Sequence, residues 1–548
     1  MSGTANIARH LPIMAERQPD ALAVAQQMLR GGAYEYRSYT ARELDHESNR
    51  LARGLQAIGI GPGVRTVLMV TPGLEFFALT FALFKAGAIP VMVDPGMGIR
   101  NLKECLAEAV PQAFVGITKA HLARVLLGWA RATNRINVTV GPRLFWGGRS
   151  LAQLRHPDES PVMAEVSPDD VAAILFTSGS TGLPKGAVYT HGNFEAQVRS
   201  LRDDYGIEPG ERDLATFPLF ALFGPALGMA SVVPAMDASK PITADPRALL
   251  AAAQDKKTTN LFASPALLDK LGRYGAQHGA KLPGVKRVIS AGAPAEPDSL
   301  ERFSKMLDPG VQILPSYGAT EALPIAAIGH RELIDETAAL TASGSGVCIG
   351  RPLREATVRV IPIDDQPIPQ WTSGLPCLPG TIGEIAVKGP QVTRAYFHRP
   401  KATALAKIAD PSDGGVWHRM GDLGYFDAQG RLWFCGRKAH RVQTAAGDLY
   451  TEPVERVFNS HPSVRRTALV GIGAAPSQTP VLCVELESGV DAASWNEIQR
   501  ELRALGASNP NAKRVDKFLM HPKFPVDVRH NAKIFREKLA LWAAEQRS

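Results

Sequence analysis

The apolar run Ile174-Leu-Phe176 stops at Thr177-Ser-Gly-Ser-Thr-Gly-Leu-Pro-Lys-Gly186. A strand that feeds a loop of small hydroxyl residues and glycines is a buried strand with a working loop at its open end. Such a loop aims successive backbone N–H groups at a single anion. Thr177, Ser178, Ser180 and Thr181 add hydroxyls, Gly179 and Gly182 permit close backbone approach, and Lys185 adds a cation. A phosphate is the natural guest. The string is not a Walker A loop, which requires Gly-Lys-[Ser/Thr], because Pro184 precedes Lys185 and Gly186 follows it. Nor is it a nucleophile elbow, since Ser178 stands where Gly-x-Ser-x-Gly requires its first glycine.

The segments around this loop set the architecture. Amphipathic helices are expected around Ile7–Gln18 and Tyr39–Ile58, with a short strand near Ala21–Gln26 between them. Gly59-Ile-Gly-Pro-Gly63 stops the second helix. Strand Val67–Val70, helix Leu74–Ala86 and strand Ile89–Val93 follow, and the same alternation resumes beyond His191 as far as strand Gln312–Ser316. Alternating strands and helices specify a mostly parallel sheet covered by helices. From Gly346 short strands alternate with turn signals such as Asp427-Ala-Gln-Gly430, which reads as a small antiparallel β region. Past Arg437–Ala439 a short α+β unit remains. The expected fold class is therefore α/β: a large N-terminal domain (1–438) of helix-covered, mostly parallel sheets plus a small β region, then a small α+β C-terminal domain (439–548). A chain of 548 residues exceeds what one compact core supports, which agrees with that division.

Several classes are excluded. The five cysteines are far apart with no C-x-x-C pair, which argues against a disulfide framework or a cysteine zinc site and for a reducing compartment. The N-terminus lacks a charged start followed by an apolar core, so a cytoplasmic location is expected. The net charge of +8 comes without a block of like charges or a recognisable nucleic-acid module, so no nucleic acid partner is expected. Contact with an anionic membrane surface or an acidic protein stays open. Leu214–Met236 carries no charge and is long enough to cross a bilayer. Pro218, Gly224, Pro225, Gly228 and Pro234 break it, so short buried elements lining an apolar cavity are expected rather than a transmembrane helix.

Beyond the loop, further motifs appear in order: Ala291-Gly-Ala-Pro294, Tyr317-Gly-Ala-Thr-Glu321, Gly383–Tyr396, Gly421-Asp422, Gly436-Arg437 and a late Lys533. In this series the chain resembles the adenylate-forming acyl-activating enzymes, from about Asn6 to Lys538. The family joins a carboxylate to the α-phosphate of ATP, so its site must neutralise charge and hold two anions in line. The resemblance implies that Thr177–Gly186 cradles the β and γ phosphates. It places the Gly292-Ala293-Pro294 turn and Tyr317-Gly318 at the nucleotide, with Tyr317 stacked on adenine. Thr320 would contact the α-phosphate, Glu321 would hold Mg²⁺, and Asp422 would bind the ribose hydroxyls with Arg437 in support. Lys533 would stabilise the adenylation transition state. Taken singly, Tyr317 reads as a core aromatic, Glu321 as a helix-end charge and Asp422 as a turn cap. The ordered set favours the functional reading. It also argues against a nucleotide-binding scaffold that no longer catalyses.

The resemblance implies a C-terminal domain that moves between two half-reactions, the second ending in a CoA thioester, a carrier-bound acyl group or an internal ester. Here the chain departs from the CoA ligases. Ala439 stands at the hinge, where Asp or Lys is common. Ala445-Ala-Gly447 replaces the usual Ser-Gly-Gly, and Ala221 replaces the His that often follows Pro-Leu-Phe. Pro218–Gly228, Arg394-Ala-Tyr-Phe-His-Arg-Pro400 and Arg437-Lys-Ala-His-Arg-Val-Gln443 look most like the branch that forms β-lactones in bacterial long-chain olefin biosynthesis. That likeness implies a 2-alkyl-3-hydroxy acid as substrate, with Phe220, Phe223, Gly224 and Gly228 at its pocket. It also implies a thiolase-like condensing enzyme, a ketoreductase and a lactone decarboxylase as pathway partners. A long-chain fatty-acyl-CoA ligase or acyl-AMP ligase is the alternative.

Overall fold

Most strands in the first 440 positions are four to nine residues long and apolar on both faces, as strands covered by helices on each side must be. The computed structural model describes residues 4–176, 184–526 and 534–546. In chain order its first strands are β1 (Leu22–Arg30), β2 (Ala33–Thr40), β3 (Arg65–Met69), β4 (Ile89–Met92), β5 (Ala113–Ile117), β6 (Ile136–Val140), β7 (Arg149–Ser150), β8 (Val171–Phe176) and β9 (Gly186–Thr190). Strands β3 to β9 form a seven-stranded sheet in the order β7-β6-β5-β3-β4-β8-β9. All its pairings are parallel except β8 with β9.

A second, larger sheet takes β10 (Arg212–Ala215), β11 (Ala230–Val233), β12 (Asn260–Ala263), β13 (Arg287–Ser290) and β14 (Gln312–Ala319). They run parallel in the order β14-β13-β12-β10-β11, extended by β1 and the antiparallel edge strand β2. At β15 (Ala322–Ala327) the sheet changes character, because a hairpin returns the chain antiparallel to β14. Next come β16 (Val347–Pro352), β17 (Thr357–Ile361), β18 (Gly383–Lys388), β19 (Lys407–Ala409), β20 (Val416–Phe426) and β21 (Leu432–Arg437), all antiparallel. The β region expected from Gly346 onward is therefore present and continues the larger sheet through β15.

Helix Leu74–Lys85 is buried at every residue but Glu75 and contacts strands of both sheets. Its sequence, Leu-Glu-Phe-Phe-Ala-Leu-Thr-Phe-Ala-Leu-Phe-Lys, is apolar nearly all round, which suits a helix with no solvent face. Its buried Lys85 donates to Asp45, Ser48 and Asn49 at 2.6–2.8 Å. These partners sit on helix Ala41–Ala57, whose start is fixed by a Thr40–Glu43 capping box.

The uncharged Leu214–Met236 stretch resolves into β10, the single-turn helices Pro218–Ala221 and Gly224–Leu227, and β11. Among the described residues no helix is long and apolar enough to cross a membrane.

After a turn at Lys438–His440 come the hairpin β22 (Val442–Thr444) and β23 (Gly447–Leu449), then the three-stranded sheet β24 (Val464–Ile472), β25 (Thr479–Leu486) and β26 (Phe518–Met520). Helices Thr451–Phe458, Trp495–Ala507 and Arg536–Glu545 pack on it. This unit meets the rest of the chain through polar contacts. Asn509 and Asn511 donate to the carbonyls of Ser343 and Gly344, and Arg456 pairs with Glu296 at 2.8 Å.

Candidate active site

The tight connection between β14 and β15 places Thr320 and Glu321 at the point where the large sheet turns from parallel to antiparallel. Gly318 is required there, since a Cβ at that position would lie 2.9 Å from Leu323 Cβ. The turn is held from outside its own sheet. The Tyr189 hydroxyl on β9 donates to the Thr320 carbonyl. Thr393 donates to the Glu321 carbonyl through its backbone N–H at 2.9 Å and its hydroxyl at 3.0 Å. Tyr396 donates to Glu321 Oε1 at 2.6 Å. Tyr396 can reach because its segment runs along β9, with Val188 N–H bonded to the Ala395 carbonyl and Phe397 N–H to the Gly186 carbonyl.

The second half of the site comes from β20 and β21, where Asp422 and Arg437 are cross-strand partners. Asp422 is buried at 4% exposure. Its Oδ2 accepts from the Tyr317 hydroxyl at 2.6 Å, and its Oδ1 lies 3.1 Å from Arg437 Nε. The Arg437 contact is an ion pair without a well-directed hydrogen bond, so Oδ1 has no hydrogen-bond donor among the described residues. Burial raises the Asp422 carboxyl above its ordinary range, against the opposing pull of Arg437 and Tyr317. Burial and the adjacent Asp422 raise the Tyr317 phenol well above its own.

Cations complete the arrangement. Lys185 Nζ lies 5.1 Å from the centroid of the Tyr396 ring. Lys407, buried beneath the turn, donates to the Thr393 carbonyl, and burial pushes its ammonium down to about 7 despite the opposing charge of Glu321. Burial holds the neighbouring His418 well below the usual histidine range, and the charges of Lys407, Lys185 and Arg437 add to the effect. Two carboxylates and several cations thus converge on one sheet junction. The set suits a polyphosphate with its counter-ion better than a neutral ligand.

The residues fit the nucleotide and metal that the sequence implies. The donorless Asp422 Oδ1 is an acceptor suited to a sugar hydroxyl. No cluster of three His, Cys, Asp or Glu that could hold a metal occurs among the described residues, and Glu321 is the carboxylate that the resemblance assigns to Mg²⁺. One carboxylate completed by phosphate oxygens and water is the coordination Mg²⁺ favours.

The remaining expected residues fall into three groups. Gly292, Ala293 and Pro294 follow β13, whose last residue Ser290 pairs with Pro315 of β14, so they stand beside Tyr317 on the same sheet edge. Gly292 has φ 100°, a conformation that favours glycine. Phe220 is buried in a stack with Phe262 (4.6 Å), on which exposed Phe217 also stacks (5.5 Å). Phe223 meets Phe194, which stacks on Tyr189 and so links Phe223 to the Thr320 turn. Chain packing accounts for Gly224 and Gly228: a Cβ would lie 2.7 Å from the Met229 carbonyl oxygen and 3.0 Å from Pro209 Cβ, respectively. Thr177, Ser178, Gly179, Ser180, Thr181, Gly182 and Lys533 lie outside the described residues.

Tyr189, Thr393, Tyr396 and Lys407 were not assigned from sequence. Tyr396 ends the Gly383–Tyr396 motif and so carried a signal. Lys407 carried none.

Comparison with known proteins agrees with this geometry. The AMP-binding enzyme family matches residues 12–397. The chain is 52% identical to an olefin beta-lactone synthetase of Xanthomonas campestris pv. campestris, covering 100% of this chain and 99% of that protein. It is 51% identical to the olefin beta-lactone synthetase of Stenotrophomonas maltophilia, with the same coverage. Among solved structures, the amide bond synthetase McbA from Marinactinospora thermotolerans superposes with a TM-score of 0.79 at 25% identity, over 98% of this chain and 99% of that one. The o-succinylbenzoate coenzyme A synthetase MenE from Bacillus subtilis, solved with ATP and magnesium ion, shares the fold at a TM-score of 0.73 and 22% identity, over 97% and 98% of the two chains. From its sheet junction to its full-length relatives, this chain belongs to the AMP-binding enzyme family.

Proposed function

We propose that this enzyme is an AMP-forming ligase that converts a long-chain 2-alkyl-3-hydroxy acid into a β-lactone. The carrying observation is the 52% identity to an olefin beta-lactone synthetase over the whole of both chains. In the first step a carboxylate oxygen of the acid bonds to the α-phosphorus of ATP and pyrophosphate leaves, giving acyl-AMP. In the second, the substrate's own 3-hydroxyl oxygen bonds to the acyl carbon, AMP leaves and the hydroxyl proton is released. Because the attack is intramolecular, no second substrate has to be brought in.

The chain's own residues divide this work in our reading. Residues 1–438 hold ATP and the acid, and 439–548 form a lid. The Thr177–Gly182 loop and Lys185 hold the departing phosphates. Gly292-Ala293-Pro294, Tyr317 and Gly318 frame the base, Asp422 and Arg437 the ribose, and Thr320 the α-phosphate. Glu321 holds Mg²⁺, which supplies charge neutralisation at the phosphates. Lys533 stabilises the adenylation step, while Phe220, Phe223, Gly224 and Gly228 bound the alkyl pocket. Ala439 and Ala445-Ala-Gly447 support a reaction without CoA. The setting we propose is cytoplasmic, beside a thiolase-like condensing enzyme, a ketoreductase and a lactone decarboxylase.

The deciding experiment incubates the enzyme with ATP, Mg²⁺ and a 2-alkyl-3-hydroxy acid, with and without CoA, and identifies the product by mass spectrometry and NMR. A β-lactone formed without CoA is expected. A CoA thioester in place of the lactone would overturn the assignment.

A further inference from the structure

The net charge is concentrated along the chain. Between Glu108 and Asp158 no Asp or Glu occurs, whereas Lys119 and the arginines at 124, 131, 135, 143, 149 and 155 all fall there. This stretch builds β5, helix Thr118–Leu127, β6 and β7, at the β7 end of the seven-stranded sheet. Arg155 pairs with Glu47. Among the described residues, Lys119, Arg131, Arg135, Arg143 and Arg149 are exposed and meet no carboxylate within 4.0 Å. Arg135 and Arg143 donate only to nearby backbone carbonyls.

The same surface exposes large apolar side chains. Leu126 is 72% exposed and Phe145 71%, with Leu144, Val125 and Leu122 also exposed. Positions 122, 125 and 126 share one helix face. The loop carrying Leu144 and Phe145 is bound to that helix, because Trp146 stacks on His121 at 5.4 Å and Thr118 donates to the Pro142 carbonyl at 2.6 Å. Neighbouring acids are already engaged: Glu108 pairs with Arg399, and Glu104 with Arg100.

We propose that this face is a docking surface for an anionic lipid membrane. Exposed Leu and Phe on a short helix and an adjoining loop, in a stretch that carries exposed Lys and Arg and no acid, match a layer whose headgroups are negative and whose interior is apolar. Five exposed apolar side chains on one helix face and one loop, with no acid in the stretch, favour a layer with an apolar interior over a hydrophilic acidic partner. Topology gives the docking a use. The Phe145 loop leaves the C-terminal end of β6, and β8 ends on the same edge four strand spacings away, about 19 Å. Docking therefore sets the nucleotide edge of the sheet near the bilayer. The proposal stands on the surface alone and does not require the β-lactone reading.

Flotation of the full-length enzyme tests it, using phosphatidylcholine vesicles and vesicles of phosphatidylcholine with phosphatidylglycerol. Binding to the anionic vesicles only, weakened by high salt, is expected. Leu126→Glu with Phe145→Glu should abolish it. Arg131→Ala and Arg143→Ala should each weaken it about fivefold. All variants should keep wild-type ATP–pyrophosphate exchange with a detergent-dispersed acid and an unchanged Tm, which separates docking from folding and catalysis. No flotation of the wild type, or flotation that survives Leu126→Glu/Phe145→Glu, would overturn the proposal. Concentration-dependent self-association that Phe145→Glu removes, without vesicle binding, would instead make the face an interface between copies and equally overturn it.

Discussion

Tyr396 donates its hydroxyl proton to Glu321 Oε1 across 2.6 Å, tying the residue expected to meet the metal to a segment anchored on a different sheet. A hydrogen bond to a charged group contributes about 1.5–3 kcal/mol. Its loss frees the Glu321 side chain to adopt other rotamers. Tyr396→Phe should therefore raise the Mg²⁺ concentration needed for half-maximal ATP–pyrophosphate exchange by about tenfold, with little change in Tm. An unchanged Mg²⁺ titration would show that Glu321 is positioned by its backbone contacts alone.

Asp422 makes a different prediction, because its Oδ1 lacks a donor within the protein. If that acceptor serves the ribose, the wild type should discriminate ATP from 2′-deoxy-ATP, and Asp422→Asn should lose most of that discrimination. The variant also leaves Arg437 without its counter-ion, so a higher KM for both nucleotides is expected. The informative quantity is the ratio of kcat/KM values. A ratio unaltered by the substitution would remove Asp422 from the ribose.

Asp213 should govern part of the pH dependence of stability. It is fully buried, and burial pushes its carboxyl up to about 7. Its Oδ1 accepts from Asn260 Nδ2 at 2.6 Å, while Oδ2 and Asn260 Oδ1 are both unpartnered. The folded state therefore binds more protons than the unfolded state between about pH 4 and pH 7, so this contribution is complete below pH 4 and is lost as pH rises through 7. Asp213→Asn keeps an acceptor, supplies a donor and cannot ionise. Thermal melts should show the variant gaining on the wild type from pH 5 to pH 8, by about 3 kcal/mol across that range. Parallel melting curves over that range would contradict the assignment.

Phe217 offers a test of the acyl pocket. It is 46% exposed at the end of β10, yet stacks on Phe262 in line with buried Phe220. Phe217→Ala should raise KM for long-chain acids several-fold and leave KM for ATP unaltered, with short-chain acids hardly affected. Equal effects on all chain lengths would place the alkyl chains elsewhere.

The sheets and the nucleotide motifs were legible in the sequence for a common reason. A buried strand such as Val171–Phe176 is a continuous apolar run, and Gly318 holds a position where a Cβ would crowd Leu323. Lys407 was not legible. Nothing in Leu-Ala-Lys-Ile-Ala marks a lysine that the fold carries beneath Glu321, since its role depends on β19 pairing with β20. The acid-free stretch from Lys119 to Arg155 was hidden in another way. Its cations are too widely spaced to form a block, and only the fold packs the loop after β6 on helix Thr118–Leu127. Strands β5 and β6 in the same region were not assigned from sequence either.

The Thr320–Glu321 turn is fastened by Tyr189 from one sheet and by Thr393 and Tyr396 from a segment some 200 positions later. No shorter piece of the chain contains all three fasteners. On the ribosome, the site cannot close until Tyr396 has emerged and found the edge of β9.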